Sequence, residues 1–129
     1  MSRYVIDAWA WVEYLIGSEF GARVNEILSQ EETEIFTCAI TLAEVISKAA
    51  RMGRDAKAAY ALLSGNSQVV NADEELSLEA GLLQFEMRKM VKDFGLADAY
   101  VLATARKLKS KILTGDPHFK GIKEAVLIK

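Results

Sequence analysis

Five short runs rich in Val, Ile and aromatic residues, separated by longer helical patterns, are the strongest constraint on how this chain folds. The runs are "RYVI" (3–6), "EIFTCAI" (34–40), "SQVVNA" (67–72), "KILT" (111–114) and "AVLI" (125–128). Short apolar segments of this kind read as strands buried inside a sheet. Helical patterns fill the intervals over roughly 8–16, 19–29, 41–52, 55–64, 73–93 and 97–109. In the last, Val101, Leu102, Ala105 and Leu108 share one helical face, while Arg106, Lys107 and Lys109 fall mostly elsewhere. Strand and helix alternating through short connections predict an α/β doubly wound domain, a parallel sheet covered by helices on both faces. In such folds ligands bind beyond the carboxyl ends of the strands, where strand order reverses. A residue directly after a strand therefore stands on the functional edge.

Composition narrows the class. With 129 residues, 51% of them hydrophobic and 26% charged, residues 1–129 are expected to form a single domain with one continuous core. The net charge of −2 supplies no overall basic field, so nucleic acid binding would need clustered cations or a metal. One cysteine, Cys38, and one histidine, His118, leave no internal disulfide and no Cys/His zinc site. The longest apolar stretch, "AWAWVEYLIG", is too short to span a bilayer and is interrupted by Glu13. No basic region followed by an apolar run and a cleavage site opens the chain, so no membrane role and a cytoplasmic location are expected.

Acids recur at the strand ends. Asp7 follows "YVI", Glu44 lies in "ITLAEV" just past the second run, and Asp116 follows "ILTG" after the fourth. Asp98, in "GLADAYVLATA", opens the helix that leads into that fourth run. Each has a structural reading as well. Asp7 and Asp98 suit helix N-caps, Thr41 and Glu44 fit a Thr-x-x-Glu capping box, and Asp116 before Pro117 suits a turn. Their joint placement is more informative, since four segments far apart in sequence bring an acid to one edge.

Clustered carboxylates repel, and burying them without a cation is costly. Mg²⁺ or Mn²⁺ resolves the conflict, because hard divalent ions take oxygen ligands and keep waters. Such a water becomes a better nucleophile while the ion offsets charge on a phosphoryl oxygen. No other nucleophile competes: Walker-A and dinucleotide glycine patterns are absent, and His118 reads as a solvated loop residue. Metal-assisted phosphodiester hydrolysis fits best. A receiver-like phospho-acceptor domain fits poorly, because Asp7 stands alone and Asn71, not an acid, ends the third run. A catalytically inactive RNA-binding or inhibitor-binding module is the other alternative.

The segments "YVIDAWAWVEYL", "ITLAEV", "LADAYVLATA" and "ILTGDPHF" resemble, in order and spacing, the four acidic motifs of PIN-domain ribonucleases. The resemblance is closest to VapC-type toxins of toxin–antitoxin pairs and runs from the first strand to the last. It implies a three-layer sandwich around a parallel five-stranded sheet of order 3-2-1-4-5, with Mg²⁺- or Mn²⁺-dependent cleavage of single-stranded RNA. It makes Asp7, Glu44, Asp98 and Asp116 the metal-binding acids, with Thr114 matching a hydroxyl residue that supports a carboxylate or phosphate. Ala8 departs from the pattern, where many members carry Thr or Ser. The same resemblance implies a homodimer and a small antitoxin partner, and an RNA-processing PIN nuclease without an antitoxin is its nearest variant.

Two surfaces follow. Phosphate contacts need cations near the acidic edge; Lys48, Arg51, Arg54, Lys57, His118 and Lys120 are placed to supply them, with no individual contact assigned. The helices "AWAWVEYLI" and "LLQFEMRKMV" carry more apolar residues than one buried face requires, which points to burial against a second chain.

Overall fold

The computed structural model describes residues 1–129. The strands are β1 (Ser2–Ile6), β2 (Thr33–Cys38), β3 (Gln68–Val70), β4 (Lys111–Thr114) and β5 (Ala125–Leu127). The helices are α1 (Ala8–Ile16), α2 (Glu19–Leu28), α3 (Ala39–Arg51), α4 (Ala56–Asn66), α5 (Glu74–Met87) and α6 (Leu96–Leu108), with a short 3₁₀ turn at Pro117–Phe119. All five strands pair in parallel in the order β3-β2-β1-β4-β5. The chain runs outward from β1 through β2 to β3, then crosses back to β4 and β5. The reversal lies between β1 and β4, where Ile6 pairs with Leu113.

Strand alternation divides the core into two layers. Tyr4, Ile6 and Leu113 pack with Trp11, Val24, Val45 and Leu63 from α1 to α4. Val5, Phe36 and Ile112 face the other way, onto Leu76, Phe94, Leu102 and Phe119. The sheet is thus covered on both sides, and its strand ends form the free edge. No helix is long and apolar enough to cross a membrane.

Three local expectations need correction. The third helix starts at Ala39, not 41, because β2 ends at Cys38 and turns directly into it. Thr41 and Glu44 then lie inside the helix and form no capping box; the buried Thr41 hydroxyl has no hydrogen-bond partner. The pattern over 73–93 ends as helix at Met87 and continues as tight turns, with Val91 N–H on the Met87 carbonyl. The sixth helix begins at Leu96 behind an extended Gly95, so Asp98 is its third residue rather than its N-cap.

The two apolar helices differ. α1 is largely covered: Ala10 and Trp11 are fully buried, and Trp9 packs on Phe20 of α2 at 5.6 Å between ring centroids. The two helices touch at Gly21, where a Cβ would lie 2.2 Å from the Glu13 carbonyl oxygen. Most of the apolar excess of α1 is therefore core, with Trp9, Tyr14 and Leu15 packed against it, while Val12 lines a groove and Ile16 is exposed. On α5, by contrast, Leu78, Leu82 and Phe85 form an exposed stripe, and Met90 lies exposed beyond its end.

Candidate metal centre

The edge at the β1–β4 reversal is built by local hydrogen bonds. Asp7 leaves β1, donates its N–H to the Leu113 carbonyl (3.2 Å) and caps α1 by accepting from Ala10 N–H at Oδ1 (2.9 Å). Thr114, fully buried at the end of β4, donates its hydroxyl to Asp7 Oδ2 and accepts Asp116 N–H at 3.0 Å. One hydroxyl thus links the acids of two neighbouring strands. Asp116 caps the 3₁₀ turn, its Oδ1 accepting His118 N–H at 2.9 Å. Gly115 is required between them, because a Cβ there would meet the Trp9 ring at 2.3 Å.

Asp98 comes to the same place from the start of α6. Its Oδ2 accepts Gly95 N–H at 3.0 Å and lies 3.0 Å from His118 Nδ1. That ring nitrogen is also 3.7 Å from Asp116 Oδ1, and Asp98, Asp116 and His118 each offer a donor atom within 4.8 Å of the others. Glu44 stands one helical turn into α3, on the wall of a groove of about 750 Å³ that α1 and α3 enclose. Trp9, Val12, Ser47, Lys48 and Arg51 line the same groove, and so does Ala8, which offers a methyl group and no hydroxyl.

The electrostatics show that the acids share one field. Burial raises the Asp7 pKa to about 7, partly opposed by the bonds from Thr114 and Ala10 and reinforced by the charges of Asp116 and Asp98. Glu44 is raised by burial first, then by Asp98 and Asp116, with no hydrogen bond acting on it. His118 is raised chiefly by its bond to Asp98, against a lowering by burial. Mutual repulsion and desolvation are what a bound divalent cation would relieve. The oxygen inventory fits such an ion: Asp98 Oδ1 and Asp116 Oδ2 are left without protein donors, within the group that Asp98, Asp116 and His118 form.

Of the four acids expected from the sequence, Asp98 and Asp116 come together with His118, and Thr114 joins Asp7 to Asp116, whereas Glu44 stands apart on α3, in a groove that none of the other three lines. His118 is the correction. Read as a solvated loop residue, it has its ring against Asp98. The available signal was the spacing Asp116-Pro117-His118, since a residue that caps a 3₁₀ turn places the backbone two positions on beside its own carboxylate. Of the candidate cations, Lys48 and Arg51 line the groove, whereas Arg54 turns away to donate to the Leu15 carbonyl.

Comparison with known proteins agrees with this fold. The family model described as PIN domain matches residues 4–125. Among solved structures, the chain is similar to VapC20 of Mycobacterium tuberculosis, a toxin described as cleaving the sarcin–ricin loop. That match has TM-score 0.75 and 19% identity, over 93% of this chain and 95% of that one. It is also similar to VapBC2 of Rickettsia felis bound to a promoter DNA fragment, at TM-score 0.74 and 14% identity over 97% and 96% of the chains. A toxin–antitoxin complex from Klebsiella pneumoniae matches at TM-score 0.72 and 21% identity over 98% of both. No curated protein sequence matches.

Proposed function

The chain belongs to the PIN domain family, and from that premise we propose that it is a divalent-metal-dependent endoribonuclease acting on single-stranded RNA. One observation supports the reading: at the β1–β4 reversal Asp98 and Asp116 bring donor atoms within 4.8 Å of one another, and Thr114 ties Asp7 to Asp116 beside them. A bound Mg²⁺ or Mn²⁺ would supply an activated water and offset charge on the scissile phosphate. The chain's own residues do the rest. Asp98 and Asp116 present free oxygens to hold the ion, Asp7 closes the site from β1, and Thr114 keeps Asp7 and Asp116 in register. Lys48 and Arg51 on the groove wall are placed to take the flanking phosphates. Partner-free protein incubated with mixed single-stranded RNA should cleave it with Mg²⁺ or Mn²⁺ and stop in excess EDTA. Cleavage that continues undiminished in EDTA rules out the metal mechanism.

The toxin role and a small antitoxin partner are supported by the similarity to toxin–antitoxin complexes. Co-expression with the protein encoded in the adjacent reading frame should give a stable complex in which RNA cleavage is suppressed. The exposed stripe of Leu78, Leu82 and Phe85 supports a homodimer through α5. Light scattering should give twice the 14.3 kDa monomer mass for wild type and the monomer for Phe85→Asp. A monomeric wild type at all concentrations removes the dimer.

A further inference from the structure

Resting on the metal-nuclease reading, we propose that the His118 side chain is a positioning residue that sets the facing of the metal-binding acid Asp98, while its backbone N–H, which any residue at this position would supply, holds Asp116. Its ring donates Nδ1–H to Asp98 Oδ2 (3.0 Å), and its backbone N–H goes to Asp116 Oδ1 (2.9 Å). A carboxylate oxygen accepts, so the proton of the ring contact sits on Nδ1. Asp98 Oδ2 is then held by two donors, Gly95 N–H and the imidazole, which leaves Oδ1 free of protein donors to take an ion. Asp116 is treated the same way: Oδ1 is occupied and Oδ2 is left over. The facing of both acids is set before any ion arrives.

The support behind His118 is rigid. Phe119, the next residue, is fully buried and packs edge-on against Phe94 at 5.8 Å between centroids. Phe94 directly precedes Gly95, the second donor to Asp98 Oδ2. One aromatic contact therefore fixes both donors relative to each other. The ring itself stays at the rim, about one third exposed, where its core contribution is small. Its removal should consequently disturb Asp98 more than the fold. Partners that orient metal ligands in this way typically matter about 10- to 100-fold in metal affinity.

The test is Mn²⁺ binding, followed by calorimetric titration and by pulsed EPR of the bound ion, on wild type and on His118→Ala, His118→Asn and His118→Gln. The Asn amide places an N–H near the position of Nδ1; the longer Gln amide reaches the position of Nε2 instead. His118→Ala should weaken Mn²⁺ binding by about 10- to 100-fold, His118→Asn should recover most of the loss, and His118→Gln should not. The EDTA-treated variants should melt close to wild type, and the wild-type EPR spectrum should show no directly bound nitrogen. A nitrogen coupling that disappears in His118→Ala would overturn the proposal by making His118 a ligand. Unchanged Mn²⁺ affinity in His118→Ala, or an Asn variant as weak as Ala, would also overturn it. Wild type that binds no Mn²⁺ would instead remove the metal-nuclease reading itself.

Discussion

Asp7 and Glu44 belong to one field but are held in opposite ways. Asp7 is 4% exposed, caps a helix, and has a hydrogen bond on each carboxylate oxygen. Its own N–H is tied to the neighbouring strand through Leu113. Glu44 is exposed, projects from the middle of α3, and is placed by helix rotation alone, with no hydrogen bond on its carboxylate. The same two charges, Asp98 and Asp116, raise the proton affinity of both. A strand end thus fixes an acid through the geometry of the sheet, whereas a helix face offers one on a flexible stem. The first arrangement is preorganised and costly to desolvate, and the second is adaptable.

The largest consequence concerns RNA cleavage. Asp7→Asn keeps the cap, because Asn caps a helix about as well as Asp, but removes the fixed charge. Cleavage with Mn²⁺ should fall by orders of magnitude while the circular dichroism spectrum stays native. Glu44→Gln should cost a smaller factor, since a flexible residue can be partly replaced by a bound water. Equal losses in single-turnover assays would break the comparison.

Next comes the dependence of stability on pH without metal. The folded-state pKa of Asp7 is raised from 3.8 to about 7, so its neutral form is favoured by folding. Its stabilising contribution is fully present below the unfolded value and is lost as pH rises through the folded one. Between about pH 4 and pH 7 that loss should reach a few kcal/mol. Asp7→Asn is neutral throughout, so in EDTA its advantage over wild type should grow across this window. Saturating Mn²⁺ should reduce or reverse the advantage, because preferential binding stabilises the wild-type fold. A constant difference in melting temperature across the window would contradict the burial of a repelled charge. Glu44 is raised in the same direction, but Glu44→Gln should flatten the profile less.

A smaller effect should come from Thr114→Val, which keeps the side-chain shape and deletes the hydroxyl. Asp7 Oδ2 and Asp116 N–H both lose their partner, and a buried group left unsatisfied costs about 1–3 kcal/mol. Urea denaturation in EDTA measures it. A neutral result would mean that Asp7 is held by its cap alone. The smallest expected effect is the metal-free stability of Glu44→Gln, within about 0.5 kcal/mol of wild type. A larger shift would show Glu44 to be anchored in a way its surroundings do not reveal.

The amino-acid sequence by itself determined the elements and their class. Short β-branched runs between amphipathic stretches allow little other than a parallel sheet with helices on both faces, and an acid directly after such a run reaches the ligand-binding edge through chain connectivity. Asp7 and Asp116 were placed at that edge for this reason, whereas Glu44 and Asp98 lie on helices and were picked out by their motifs. The resemblance carried by the same four motifs supplied the strand order, which periodicity cannot.

What the tertiary structure decided are the contacts that cross the chain. Thr114 and Asp7 stand 107 residues apart and meet only because β1 and β4 are neighbours. His118 looked like a loop residue until the packing of Phe119 on Phe94 turned its ring toward Asp98. Most of the surplus apolar residues of α1 proved to be core because α2 folds over them at Gly21, while the similar surplus on α5 stayed uncovered. Periodicity records how much of a helix is apolar, but only packing decides which neighbour covers it, and local propensity says nothing about which side chains meet across a hundred residues.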